Sequence, residues 1–287
     1  MFTFEEIGAL FNRSWLHAFS KKKFLLTLVF MLIASFFFVF CESIALEGSS
    51  WVAISFSFLP VFLCAGLFLT LGTLIIRMYF QEIKGVKYKF GDLIKQSVQV
   101  AVGLSYLTVP FLLAYVLLWA ALGVFYLLRE IPMIGDSISV LLVFGPFLLI
   151  LGALVLSILT LALLFFVTPH VAAKKNLEFG LVDDILDRLK SNPFGNIVLF
   201  LIGSFPLVVM SLILFSAMSL TKTNFLTVKA VIGMSMGSMI MMIPISLCLT
   251  PFVIFFFHFA VEGFALYQRS KKTGAVKQEN KEWSTPS

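Results

Sequence analysis

The chain is predicted to be all-α, a polytopic membrane bundle of six transmembrane helices with amphipathic helices lying at the cytoplasmic interface. Three observations predict this. Hydrophobic residues make up 60% of the 287 residues and charged residues only 13%, about half the charged share of a soluble domain. Six long stretches are almost free of charge. Of the 21 Lys and Arg residues, all but Arg129, Lys222 and Lys229 fall on one side of those stretches.

A bilayer core about 30 Å thick needs roughly 20 apolar residues as helix. The stretches that qualify are about 24–45, 51–76, 96–128, 138–168, 195–221 and 230–261. Over short connectors, Lys and Arg stay on the cytoplasmic side. Both termini are therefore expected in the cytoplasm. One transmembrane domain covers 1–268, and a polar tail, 269–287, is expected to be disordered. The positive charge follows the topology, which argues against nucleic acid as a partner. The bilayer itself, anionic lipid headgroups near the basic loops and other membrane proteins are the candidate partners.

In chain order, the first element is an amphipathic helix from Thr3 to about Phe19. Phe4, Ile7, Phe11 and Trp15 recur at three- and four-residue intervals, and Thr3 and Glu6 have capping-box spacing. Such a helix lies in the interfacial plane. Lys21, Lys22 and Lys23 then precede an apolar run to Cys41. No small-residue cleavage site follows, so the first span is expected to remain as a signal anchor. Glu47 to Ser50 is a tight outer turn into the second span. Phe90 to Gln99 is a shorter amphipathic stretch before span three. The third amphipathic stretch, Glu178 to Lys190, has Val182, Ile185, Leu186 and Leu189 on one face. Asp183, Asp184, Asp187, Arg188 and Lys190 lie on the other. Asn192-Pro193 ends it. The order of interfacial helix, span, outer turn and span suggests a threefold repeat of helical hairpins, with Pro60 following Phe4 at the distance at which Pro146 follows Phe90.

Several features are candidates for chemistry. Pro60, Pro110, Pro146, Pro206, Pro244 and Pro251 are expected helix kinks. A proline frees a backbone carbonyl that needs a partner in the protein or a wet cavity. That fits either broken helices lining a substrate site or ordinary kinks relieved by Ser and Thr. His258 and Glu262 share a helix face at the end of span six. With His170, which ends span four beside Pro169, they are the candidate cytoplasmic-face cluster. His17 lies in the first interfacial helix. Asp183, Asp184 and Asp187 could hold Mg²⁺, although Asp184 and Arg188 also have the spacing of a solvated helix pair. Cys41, Cys64 and Cys248 form no metal-ligand spacing. No nucleophile elbow, phosphate loop, dinucleotide fingerprint or HExxH motif is present. No catalytic residue, no metal and no cofactor is therefore expected.

At 165–205 the chain resembles uncharacterised bacterial six-helix membrane proteins, similar to the membrane domain of glycerophosphodiester phosphodiesterases. The residues that carry this are Pro169, Lys174-Lys175, the amphipathic stretch 178–190 and Asn192-Pro193-Phe194-Gly195. The resemblance covers architecture and carries no catalytic position. It implies a multi-pass location in a bacterial inner, or cytoplasmic, membrane. The expected function is that of a non-enzymatic envelope accessory or lipid-handling protein. The alternatives are a small-solute or lipid transporter and a membrane enzyme acting on lipid headgroups.

Overall fold

The computed structural model describes residues 4–47, 50–85, 90–129, 131, 134–173, 187–225 and 231–282. Among the described residues the long elements are all helical. They are α1 (Phe4–His17), α2 (Lys21–Glu47), α3 (Ser50–Ile83), α4 (Phe90–Arg129), α5 (Ile134–Ala173), α6 (Pro193–Phe225) and α7 (Val231–Glu282). Five are long and apolar enough to cross a membrane, over Lys21–Ala45, Ser55–Ile83, Phe147–Ala173, Pro193–Ala217 and Met239–Arg269. In α4 the described residues supply a shorter apolar stretch, Thr108–Ala121.

Helix α1 forms where the sequence predicts it, with Glu5 and Glu6 in its first turn and His17 in its last. The two carboxylates complement the helix dipole. Helix α2 begins with three lysines, the wrong sign for a helix N-terminus, so something else must compensate them. Helix α3 closes through the hydrogen bond from Gly85 N to Glu82 O, with Gly85 at φ +64°. A side chain would strain that left-handed conformation. Helix α6 opens at Asn192-Pro193. The Asn192 side chain accepts from Gly195 N at 3.1 Å, and Pro193 occupies the first helical position, where no donor is lost.

One expectation is revised. Phe90 to Gln99 is not a separate interfacial helix: it is the first part of α4, because no breaker separates it from the span. Helix α7 is described to Glu282, past the start of the polar tail at 269, where Ala, Lys, Gln and Glu favour helix. The prolines expected as kinks lie within helices. Pro60, Pro110, Pro206, Pro244 and Pro251 lie inside α3, α4, α6 and α7, and Pro146 falls within the range of α5. Near two of them, hydroxyls bond the carbonyl one residue before the one that proline frees: Ser204 Oγ to Leu201 O at 3.2 Å and Thr250 Oγ1 to Ser246 O at 2.7 Å. Thr3, Asp183 and Asp184 lie outside the described residues.

Helix α7 touches α1, α2, α3, α5 and α6. Its Phe255, Phe257 and Phe259 pack in the main core with Leu69, Ile75 and Phe165. Close approach is needed at Gly72, where a Cβ would stand 2.3 Å from the Phe257 ring and 2.7 Å from Thr168. Along the antiparallel contact of α2 and α7, Ser35 Oγ meets Ser246 Oγ at 2.8 Å. Twelve residues away on each helix, Lys23 meets His258. Such small and polar contacts hold helices together in lipid, where the hydrophobic effect does not. The outward faces carry Leu25, Phe36 and Phe40, Leu113 and Leu117, Phe147 and Leu151, Leu201, Phe205 and Leu212, all exposed. Apolar surface on this scale suits a hydrocarbon solvent.

Candidate functional site

Two polar clusters lie at the lysine-bearing end of the bundle. The first joins four helices. Lys23, on the first turn of α2, is fully buried. Its Nζ donates to Glu82 Oε2 of α3 at 2.6 Å and lies 3.3 Å from His258 Nε2 of α7. An ammonium group has donors only, so Nε2 is the acceptor and the imidazole proton sits on Nδ1. That nitrogen is buried and has no hydrogen-bond partner among the described residues. One turn further along α7, Glu262 accepts from the Tyr79 hydroxyl. It also lies 3.6 Å from Arg13 Nη1 of α1. Rings fill the space between. Tyr79 and His258 meet edge to face at 4.7 Å, and His17 lies 5.2 Å from Tyr79 and 6.0 Å from His258. Two cations face two carboxylates, so the formal charge cancels.

The spacing of His258 and Glu262 thus does place both in one cluster. They do not bond each other there: one meets Lys23, the other Tyr79 and Arg13. His170 is not part of it. Its ring packs on Phe264 at 4.4 Å, and its Nδ1 lies 3.1 Å from Phe166 O. Sequence reasoning missed Lys23, Tyr79, Glu82 and Arg13. The available signals were Tyr79 and Glu82 at i and i+3, and Glu82 as an acid among basic connectors. Among the described residues no group of three His, Cys, Asp or Glu side chains could hold a metal.

The second cluster surrounds Arg188. Residues 187–191 are helical, and Asp187 is exposed. Arg188 has no exposed surface. Its guanidinium carbon lies 5.1 Å from the Phe166 ring centre and 5.6 Å from those of Phe264 and Tyr267. Its Nε, Nη1 and Nη2 have no hydrogen-bond partner among the described residues. Burial lowers its pKa to about 10, and Tyr267 partly opposes that shift. The backbone here is well fixed: Arg188 O accepts from Ser191 Oγ at 3.0 Å and from Asn196 Nδ2 at 2.8 Å.

No family model matches this chain, and neither does any curated protein or solved structure. Function must therefore be argued from the two clusters.

Proposed function

We propose that the chain is a six-pass protein of a bacterial cytoplasmic membrane with both termini inside. In this reading it catalyses no reaction and serves the envelope as an accessory or lipid-handling protein. The observation that carries this is the closure of the Lys23–His258 cluster. Glu82 is engaged by Lys23, and Glu262 by Tyr79 and Arg13. No carboxylate in the cluster is left free to act as a base, and the groups at its centre are buried. His258 Nδ1 apart, which has no partner among the described residues, these pairings tie α1, α2, α3 and α7 together and hold the helices in register. The membrane face supports the lipid side of the reading. Leu16 and Phe19 are exposed on and just after α1, and Lys21 and Lys22 are exposed beside them. This pairing suits the boundary between acyl chains and anionic headgroups. Transport along broken helices has less support, because the helices continue through their prolines.

The test is complementation of a deletion strain of the source organism by Glu82→Gln and Glu262→Gln. These variants keep the cluster's shape and remove its carboxylates. The expected result is lowered thermal stability with full complementation wherever abundance is restored. Failed complementation at normal abundance would make the cluster catalytic or conductive and overturn the reading.

A further inference from the structure

The Arg188 guanidinium is the anomaly of this fold. A buried charge is ordinarily paired. Here five N–H donors face three aromatic rings, and no described residue supplies an acceptor. Cation–π contact offsets part of the desolvation cost, but rings accept no in-plane hydrogen bonds from the fork. The site is also preorganised. The backbone of Arg188 is held by Ser191 and Asn196, and its walls come from Phe166 of α5 and from Phe264 and Tyr267 of α7. A second orphaned atom lies at the same junction: Asn196 Oδ1 is buried and also lacks a partner among the described residues. The cage is most open at Tyr267, which is only partly buried and is followed by exposed Gln268 and Arg269. These residues end the long apolar stretch of α7, Met239–Arg269.

We infer that Arg188, walled by Phe166, Phe264 and Tyr267, binds a phosphate group at the membrane face, with Tyr267 moving aside to admit it. A planar guanidinium fork matches two phosphate oxygens at once, which a point charge does not. The phosphate comes either from an anionic phospholipid of the adjoining leaflet or from solution. Asn196 Oδ1 is an acceptor suited to a headgroup hydroxyl. The inference deepens the lipid-handling reading and rests on it only for the source of the phosphate. The complementation test addresses the other cluster, so either idea can fail alone.

The experiment uses the full chain, delipidated in a maltoside detergent in phosphate-free chloride buffer. Wild type, Arg188→Leu and Arg188→Lys are compared by thermal unfolding. Each is measured without additive, with phosphatidylglycerol in the micelle, and with inorganic phosphate. Without additive, Arg188→Leu is expected to melt higher than wild type, because it removes a buried charge that no described residue answers. A saturating phosphate ligand should raise the wild-type Tm by roughly 5 °C. It should leave Arg188→Leu unmoved, so the order of the two reverses. Arg188→Lys, which keeps the charge and loses the fork, should bind at least tenfold more weakly. A shift with phosphatidylglycerol alone assigns the site to lipid, and a shift with inorganic phosphate assigns it to a soluble ligand. The inference is overturned if neither additive shifts wild type, if the shift persists in Arg188→Leu, or if Arg188→Leu melts lower than wild type under every condition. Should Arg188→Leu fail to fold, Arg188→Lys decides: an undiminished shift in that variant also overturns it.

Discussion

Replacing Glu82 with Gln leaves the Lys23 ammonium buried with little but a neutral imidazole to receive it. Breaking a buried pair from one side costs several kcal/mol. Glu82 keeps 35% of its side chain exposed, so the expected loss is about 3 kcal/mol, the low end of that range. Arg13→Gln makes the opposite case. Its ion pair to Glu262 is 3.6 Å long and its side chain is 53% exposed. Such pairs contribute less than about 1 kcal/mol, and Tyr79 still occupies Glu262. Thermal unfolding of the two variants in one detergent checks the ranking; an equal loss would mean that Lys23 does not depend on Glu82. The sequence shows only part of this cluster. His258 and Glu262 are legible because four residues along a helix make neighbours. Their partners Lys23 and Tyr79 lie 235 and 183 residues away in sequence, a distance that no local pattern reports. Arg188 was legible as the polar face of an amphipathic stretch. Its burial was not, because that depends on Phe264 and Tyr267 of α7, distant in sequence, packing over it.

Helices respond to substitution according to how closely their neighbours approach. Gly72 sits where α3 meets α5 and α7, and a Cβ there would overlap the Phe257 ring. Gly72→Ala should cost roughly 1–3 kcal/mol through overpacking. Gly8 lies in α1, and a Cβ added there would meet nothing within 4 Å, so Gly8→Ala should gain up to about 1 kcal/mol from helix propensity. Opposite signs in one thermal series are the expected outcome, and a neutral Gly72→Ala would place the α3–α7 contact further apart. The same contrast explains which elements the sequence revealed. Helix α1 was legible from its three- and four-residue periodicity, and the start of α6 from Asn192-Pro193. The fusion of Phe90–Gln99 with the following span was not, because an amphipathic pattern describes a face and says nothing about whether the helix then stops.

At the scale of the whole molecule, orientation follows from where positive charge can remain. Moving Lys or Arg across the hydrocarbon core is costly, and a six-pass arrangement would put all but three of the 21 cationic side chains on one side. The buried Lys23 does not contradict this, since Glu82 neutralises it at the start of α2. Single cysteines test the arrangement directly. With Cys41, Cys64 and Cys248 replaced by Ala, Arg13→Cys and Gln268→Cys should react with a membrane-impermeant maleimide in inside-out vesicles and stay unreactive in intact spheroplasts. Thr223→Cys should show the reverse. Labelling of Arg13→Cys and Thr223→Cys from the same side would require an even number of crossings between them and remove the six-pass reading. The expected pattern requires an even number of crossings between Arg13 and Gln268 and an odd number between each of them and Thr223. Five apolar helices would leave that parity unsatisfied, so the expected labelling pattern, once observed, would require α4 to cross as well, through Thr108–Ala121.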